Sequence, residues 1–310
     1  MKFPKLNGKA VLSPMAGVTD VAFRTLCKKY GAALTYTEFV SSAAIVRNNK
    51  KTNEMLAIDP IEKPVAVQLF GSNEDEIVGA AKKIENNFDI IDINCGCPVW
   101  KVIRTGAGSE LLKNKNKLEI FIRKLVGSVN IPITIKIRSG INNNIINAVE
   151  VAKMAENAGA AAIAIHGRTQ EQGYSGIADW KIIKEVKDNI KIPVIGNGDV
   201  FTPELFKEKL EFSNVDAIMI ARGAIGNPFI FRQVNDYLEF GKYRKENKIK
   251  LFFEYLEIAA KHEIDFKLIK NHAILFTKGV ESGAKLRFEL SKCNNINDLY
   301  KHMEKKIGLK

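Results

Sequence analysis

The stretch FDIIDINCGCPVWKVIRTGAG, residues 88–108, joins an apolar run to an asparagine, two cysteines, a proline and basic side chains. Glycine and proline alone would suffice for a turn, so the thiols and cations indicate chemistry where the run ends. A run that is apolar and β-branched on both faces is typical of a parallel strand buried on both sides. The stretch therefore predicts a buried strand that ends in reactive side chains.

The same kind of run recurs along the chain, at residues 9–17, 33–40, 64–71, 131–140, 160–169, 192–199 and 215–223. Between these runs, segments 74–86, 115–127 and 145–158 have the apolar spacing of amphipathic helices. Eight strand–helix units in about 235 residues predict an α/β fold of the (β/α)8 TIM-barrel type. A doubly wound open sheet is the alternative, because a count of strands does not by itself require closure.

Polar side chains at the ends of the runs favour the barrel over the open sheet. In a barrel the carboxyl ends of all strands meet at one rim, where the βα loops build the active site. An open sheet would spread the same groups along a line. These groups are Pro14 to Gly17, Gln68, Asn94 to Cys97, Lys136, Arg138, His166 to Arg168, Asn197 to Asp199, and Arg222.

The pattern changes after GNPFIFRQV, residues 226–234. Residues 248–310 contain amphipathic helical segments, such as KLFFEYLEIAAKHEIDF and DLYKHMEKKIG, and no further strand-like run. The charged connector EFGKYRKENKIK, residues 239–250, separates the two parts. We therefore predict a TIM-barrel domain over residues 1–240 and a small all-helical domain over residues 241–310.

The chain of 310 residues has a net charge of +12, and residues 236–310 carry 16 basic against 11 acidic side chains. This charge fits either a solubility role or a polyanionic partner. No stretch has the ~18–20 apolar residues of a membrane helix, and the amino terminus lacks the apolar core of a signal peptide. We therefore expect a cytoplasmic protein without a membrane contact.

The four cysteines are too scattered for a disulfide framework, and a C-x-C pair without a second pair gives poor support for a metal site. A thiol with a pKa near 8.5 is mostly protonated at neutral pH and can act as a general acid. The alternative for Cys95 and Cys97 is two small buried side chains. Lys101 and Arg104 favour the first interpretation, because they would place the thiol beside an anionic substrate.

Two further features of the predicted rim indicate an anionic ligand. GNGD and ARGAIGNP follow the last two strands, where barrels commonly bind phosphate through glycine N–H groups, and Arg222 could add a charged contact. Lys136 lies in an apolar strand and must reach an anion to offset its desolvation. The reduced ring of a flavin is one such anion, and Gln68 and His166 could bond its polar edge.

Six stretches in order resemble the signatures of the tRNA-dihydrouridine synthases, and TKGVESGAKLRFELSK is similar to the helical domain of that family. They are SPMAGVTD, INCGCPVWKVIRTGAGSELL, TIKIRSG, IHGRTQEQGYSGIADW, PVIGNGDVFTPE and IARGAIGNPFIF. The resemblance implies an FMN enzyme that reduces selected tRNA uridines to 5,6-dihydrouridine with NADPH or NADH as reductant. It also implies that the helical domain binds tRNA, and we expect a monomer.

The resemblance implies a role for each matching residue. Cys97 would donate a proton to uracil C5 after hydride reaches C6, and Asn94 would lie beside the uracil. Apart from the resemblance, we expect the basic residues of the thiol loop and the rim to contact the RNA substrate: Lys101, Arg104, Arg138 and Arg168. The cofactor-binding residues would be Pro14, Met15, Ala16, Gln68, Lys136, His166, Asn197, Gly198, Asp199, Ala221 and Arg222. Ala221 stands where many members of the family have glycine.

Two other functions are compatible with parts of the sequence. An FMN barrel acting on a small molecule such as dihydroorotate would leave the basic carboxyl-terminal part unexplained. A non-catalytic RNA-binding protein on a barrel that has lost its activity would purify without flavin colour. The modified tRNA position, the choice between NADPH and NADH and any need for prior tRNA modification do not follow from the sequence.

Overall fold

The computed structural model describes residues 1–306, and the last four residues of the predicted helical domain lie outside this range. Eight parallel strands form one sheet. The strands of the chain are β1 Ala10–Leu12, β2 Thr35–Ser41, β3 Val65–Phe70, β4 Ile90–Cys95, β5 Ile133–Arg138, β6 Gly140–Asn142, β7 Ile145–Ile146, β8 Ala162–His166, β9 Val194–Asn197 and β10 Ala217–Ile220.

The sheet runs in the order β1-β10-β9-β8-β5-β4-β3-β2, with β6 and β7 forming a separate antiparallel hairpin. A parallel bridge between Val11 and Leu34 links the two edge strands, and the Leu12 amide donates to the Leu34 carbonyl at 2.9 Å. The ring thereby closes, and the predicted TIM barrel is confirmed over the alternative of an open sheet. All eight predicted runs contain a strand of this ring.

Side chains of the barrel strands alternate between two hydrophobic clusters. Ile133, Ile135 and Ile137 of β5 pack outward against the surrounding helices. A smaller cluster fills the interior, with members such as Tyr36 and Met219, and Phe3 packs against it from the amino-terminal segment. This alternation follows from the period-2 geometry of strands, and it directs every second residue into the barrel.

The helices are α1 Val21–Lys29, α2 Ser42–Val46, α3 Lys50–Glu54, α4 Glu74–Ile84, α5 Trp100–Ile103, α6 Lys115–Val126, α7 Ala148–Asn157, α8 Trp180–Asn189, α9 Pro203–Ser213, α10 Ile230–Phe240, α11 Lys248–Lys261, α12 Phe266–Phe276, α13 Gly283–Lys292 and α14 Ile296–Glu304. Short 3-10 helices span Pro60–Glu62 and Gly108–Lys113. None of the helices within residues 1–306 combines the length and the apolar character that crossing a membrane requires.

Two helical segments of the sequence differ from their predicted extent. The segment 145–158 begins with strand β7, and only residues from Ala148 onward are helical. The segment 250–266 is divided between α11 and α12 because Glu263 adopts a left-handed backbone with φ of 51°. Asp265 then starts α12 by accepting a hydrogen bond from the Lys267 amide.

The carboxyl-terminal helices α11–α14 pack directly on the barrel and share its outer hydrophobic core. Phe23 of α1 lies 6.4 Å from Phe276, measured between ring centroids. Polar contacts reinforce this packing, since Asp59 accepts from Lys261 at 2.7 Å and pairs with His262 at 2.9 Å. The helices therefore lie in fixed contact with the first strand–helix units of the barrel.

Candidate functional site

A cavity of about 420 Å³ opens at the carboxyl-terminal end of the barrel strands. The parallel register places polar residues of neighbouring strands side by side, as in the pairs Asn94–Lys136 and His166–Asn197. Fourteen of the predicted site residues line the cavity: Pro14, Met15, Ala16, Gln68, Asn94, Cys97, Lys136, Arg138, His166, Asn197, Gly198, Asp199, Ala221 and Arg222.

A buried chain of hydrogen bonds fixes two amide side chains at the cavity floor. The Cys97 amide donates to Asn94 Oδ1 at 2.9 Å, so Asn94 Nδ2 points to Gln68 Oε1 at 2.8 Å. Gln68 Nε2 then donates to Asp92 at 2.7 Å, and the Thr134 hydroxyl donates to the same carboxylate at 2.6 Å. Each amide NH2 group keeps a second hydrogen, which is available to a ligand.

Asp92 anchors this chain from inside the barrel. Complete burial raises the pKa of its carboxyl to about 6, against the opposing hydrogen bonds from Gln68 and Thr134 and the charge of Lys136. The carboxylate is thus ionised at neutral pH and accepts both donors. Its role was not predicted, although a carboxylate in the middle of the apolar run FDIIDINCG was a signal for it.

Lys136 is a partly buried cation in an apolar strand, and it has no carboxylate partner in an ion pair within residues 1–306. Its Nζ donates to Asn197 Oδ1 at 3.3 Å, and Asn197 is itself fixed by donation from Nδ2 to the Met219 carbonyl at 2.8 Å. Burial, helped by the nearby charge of Arg138, lowers the pKa of Lys136 to about 8. An anion at the cavity wall would offset the free-energy cost of desolvating the charged ammonium group.

His166 faces the same cavity from the end of β8. Burial lowers the pKa of its imidazole to about 2, and the positive charges of Lys136, Arg138, Arg168 and Arg222 act in the same direction. The ring is therefore neutral at physiological pH. A neutral imidazole can donate one hydrogen bond and accept another, so His166 can contact a polar ligand without adding charge.

Cys97 lies at the cavity wall with 9% of its surface exposed. Burial raises the pKa of the thiol, although the Val99 amide and the charges of Arg138 and Lys136 oppose the shift. The thiol is consequently protonated at neutral pH and can release its proton next to cations that stabilise the resulting thiolate. The predicted acid is thus in a suitable state and position.

Arg138 connects the Cys97 loop to the loop that follows β8. Its Nε donates to the Gly96 carbonyl at 2.7 Å, and one terminal nitrogen donates to the carbonyls of Thr169 and Gly173. Arg138 therefore lines the cavity as predicted and also fixes the loop that carries the thiol.

Arg168 does not reach the cavity, in contrast to its predicted substrate contact. Its guanidinium forms a two-nitrogen ion pair with Asp199, at 2.9 and 2.8 Å, and donates to the carbonyls of Ser175 and Gly176. Because these contacts use its donors and only 2% of the residue is exposed, Arg168 positions Asp199 instead. Burial alone would raise the pKa of Asp199. The hydrogen bonds from Arg168 and the Ala178 amide, together with the charges of Arg168 and Arg222, outweigh this effect and lower the pKa below its ordinary value.

Lys101 and Arg104 also lie outside the cavity lining, at the start and end of the short helix α5 that follows the Cys97 loop. Both side chains are exposed. The neighbouring Trp100 has 70% of its surface exposed. The structure thus places a cationic and aromatic surface beside the thiol loop, where the sequence predicts substrate contacts.

The family model described as dihydrouridine synthase matches residues 11–307 of the chain. The tRNA-dihydrouridine synthase B of Shewanella oneidensis is 41% identical over 238 residues, which cover 76% of this chain and 74% of that protein. A probable tRNA-dihydrouridine synthase of Rickettsia prowazekii is 37% identical over 297 residues, which cover 91% of this chain and 89% of that protein. The chain belongs to the dihydrouridine synthase family.

The barrel of this dihydrouridine synthase resembles solved structures of low sequence identity. Histamine dehydrogenase from Rhizobium sp. 4-9 matches with a TM-score of 0.61 and 14% identity, over 82% of this chain and 49% of that chain. A 2-naphthoyl-CoA reductase matches with a TM-score of 0.61 and 11% identity, over 76% of this chain and 50% of that chain. The chain spans about half the length of these two proteins, and the likeness concerns the fold alone.

Three aromatic side chains that were not among the predicted site residues also line the cavity. Phe39 lies near the end of strand β2, Tyr174 lies in the loop after β8, and Phe201 follows the GNGD stretch. The arginines of the cavity approach two of these rings, with Arg138 at 5.8 Å from the Tyr174 centroid and Arg222 at 5.5 Å from that of Phe201. For Tyr174, the position between Gly173 and Gly176 in a βα loop was the available signal.

Proposed function

We propose that this dihydrouridine synthase is an oxidoreductase that reduces a uridine of tRNA to 5,6-dihydrouridine with FMN as its cofactor. The family match and the tRNA substrate in the names of its relatives support the proposal. The observation that carries it is that the protonated thiol of Cys97 and the unpaired ammonium group of Lys136 line one cavity. An acid and an anion-binding cation are the two groups that this reduction requires of the protein.

The cavity residues fit a flavin. Lys136 lacks an anionic partner, and the neutral His166 and the amide of Gln68 supply uncharged hydrogen bonds beside it. Gly198 has a φ of 141°, and a Cβ there would collide with Ala178, so only glycine fits at this point of the cavity wall. We assign contacts with the isoalloxazine ring to Pro14, Met15, Ala16, Gln68, Lys136 and His166. We assign contacts with the ribityl phosphate to Asn197, Gly198, Asp199, Ala221 and Arg222.

When bound, FMN would provide the hydride for uracil C6, and its electrons would come from NADPH or NADH. Cys97 holds the proton that C5 receives, and its C=O is fixed by the Ser109 amide at 3.1 Å and the Ser109 hydroxyl at 2.9 Å. Asn94 presents its remaining amide hydrogen to the substrate. Lys136 and Arg138 stabilise negative charge on the uracil ring and later on the Cys97 thiolate.

We further propose that residues 1–240 form the FMN-binding catalytic domain, that residues 241–310 bind tRNA, and that the protein acts as a cytoplasmic monomer. Lys101 and Arg104 would contact the RNA backbone beside the cavity. A uridine in folded tRNA can enter the barrel only if it is extruded, at a cost of a few kcal/mol that contacts in the pocket offset. No metal is required for this chemistry.

An anaerobic reoxidation experiment tests the proposal. The protein-bound flavin is reduced, tRNA without modifications is added, and the visible spectrum is followed. We expect tRNA to reoxidise the flavin and dihydroorotate-type substrates to leave it reduced. If neither unmodified tRNA nor tRNA from a strain without the enzyme reoxidises the flavin, the proposal is wrong and a small-molecule oxidoreductase becomes the better assignment.

The exposed cations beside the thiol loop give a prediction about tRNA affinity. Each phosphate contact contributes about 0.9 to the slope of log K against log salt concentration, so the Lys101→Ala/Arg104→Ala variant should reduce that slope by about 2. Filter binding over a range of salt concentrations measures it. Lys191→Ala, which removes an exposed lysine from the αβ loop before β9, is the matched control, and an equal effect of both variants would contradict the proposed surface.

A further inference from the structure

One helix outside the barrel, α12, touches two loops of the cavity wall. The first loop follows β1 and contains Pro14, Met15 and Ala16, and the second follows β10 and contains Ala221, Arg222 and Ile225. The contacts of α12 to these loops come from successive turns of the helix, through Asn271, His272 and Leu275. None of these three residues lines the cavity.

His272 makes the buried contact to the first loop. Its Nε2 lies 2.9 Å from Asp20 Oδ2, and Asp20 Oδ1 accepts from the Phe23 amide at 2.9 Å to start α1. Tyr255 of α11 donates its hydroxyl to the same Asp20 oxygen at 3.1 Å. His272 is fully buried, and its Nε2 donates to Asp20 because an ionised carboxylate can only accept. Its Nδ1 has no partner within the described chain.

Asn271 makes a second contact to the first loop. Its Nδ2 donates to the Gly17 carbonyl at 2.9 Å, and the Gly17 amide donates to Glu38 Oε2 at 2.6 Å. The peptide groups on both sides of Gly17 are thus tied, one to α12 and one to β2. The residues just before Gly17 form the apolar part of the cavity wall, so their backbone position depends on these ties.

The carboxyl-terminal end of α12 lies against the second loop. Gly226 has a φ of 65°, and a Cβ at this position would collide with the Leu275 carbonyl. A residue other than glycine would therefore push the loop away from the helix or strain its backbone. Ile225, which precedes it, lines the cavity.

We propose that α12 is a brace that sets the position of both loops, so that His272 and Asn271 are positioning residues for the flavin. The inference rests on the proposed function for the identity of the ligand. If so, the segment proposed to bind tRNA also affects FMN affinity, because its helix α12 contacts two loops of the FMN-binding cavity.

The dissociation constant for FMN tests the brace. A net hydrogen bond contributes ~0.5–1.5 kcal/mol, so we expect Asn271→Ala to weaken FMN binding by about 3–10-fold. His272→Leu should weaken it by at least as much, and His272→Gln, which keeps an N–H donor near the Nε2 position, should restore most of the affinity. Asn295→Ala is the control, because it removes the cap of α14, where Asn295 accepts from the Asp298 amide, and so lowers stability far from the cavity loops.

Hydrogen exchange of the loop amides separates the brace from the proposed function. Exchange at residues 13–19 and 221–229 should be faster in Asn271→Ala and His272→Leu than in Asn295→Ala, with or without FMN. A wild-type protein that binds no FMN would overturn the proposed function but not the brace. Loop exchange in Asn271→Ala and His272→Leu that equals the exchange in Asn295→Ala would overturn the brace.

Discussion

The Cys97→Ala variant is expected to reduce uridine about 10²–10⁴ times more slowly than the wild-type protein, the range typical of removing a general acid. The thiol is the protonated group at the cavity wall beside Asn94, and burial keeps its pKa above the ordinary range. The methyl group of alanine leaves the backbone bonds of residue 97 to Asn94 and Ser109 intact. FMN and tRNA should therefore bind as before, and single-turnover flavin reoxidation measures the loss.

Cys95→Ala is the matched control for this experiment. Cys95 lies two residues earlier, is fully buried on the outer side of β4 and does not line the cavity. Its replacement should lower stability, as the loss of a buried side chain does, but leave the rate of reoxidation nearly unchanged. Equal rates for Cys97→Ala and the wild type would remove Cys97 from the reaction and require another proton donor.

The pH dependence of the rate provides a second check on the thiol. Because burial raises its pKa above the ordinary thiol value, the acid stays protonated throughout the neutral range. Reoxidation by tRNA should be independent of pH around neutrality and decline only in alkaline solution. A decline centred below the ordinary thiol value would show that a different group controls the proton transfer.

The fold could be predicted because its signals are local. Each of the eight β-branched runs contains one barrel strand, and the polar residues that end them meet at one rim, as closure of the sheet requires. The hairpin of β6 and β7 and the break between α11 and α12 were missed. These depend on single backbone conformations, such as that of Glu263, that apolar periodicity does not record.

The candidate site was predictable to the extent that a polar residue follows a strand. The partner of Arg168 was not, because Asp199 lies 31 residues away in the sequence and the ion pair depends on two adjacent loops. The contact of His272 with Asp20 spans 252 residues and was equally invisible. Pairings of this kind follow from tertiary packing, which a single sequence does not specify.

The Lys136→Met variant is expected to change cofactor affinity and protein stability in opposite directions. A hydrogen bond to a charged group contributes ~1.5–3 kcal/mol, so FMN should bind about 10–100 times more weakly without the ammonium group. The FMN-free protein should become more stable at neutral pH, because methionine carries no charge that must be desolvated. The shift of the Lys136 pKa from 10.5 to about 8 corresponds to about 3 kcal/mol as an upper limit.

The sign of the stability effect determines its dependence on pH. Between pH 8 and 10.5 the unfolded wild-type chain retains the Lys136 proton that the folded chain has released. The stability of the wild-type FMN-free protein should therefore rise with pH across this window, as the cost of the buried charge is relieved. The methionine variant should lack this increment, so the difference between the two proteins should shrink as pH rises.

Urea unfolding of the FMN-free proteins at several pH values, together with FMN titrations, measures both effects. Lys28→Met is the matched control, since Lys28 is a lysine of α1 whose pKa burial also lowers but which donates to the Ala33 carbonyl away from the cavity. That variant should change stability without changing FMN affinity. If Lys136→Met instead retains full FMN affinity, the buried ammonium group serves an anion other than the flavin, and the assignment of the cavity wall must be revised.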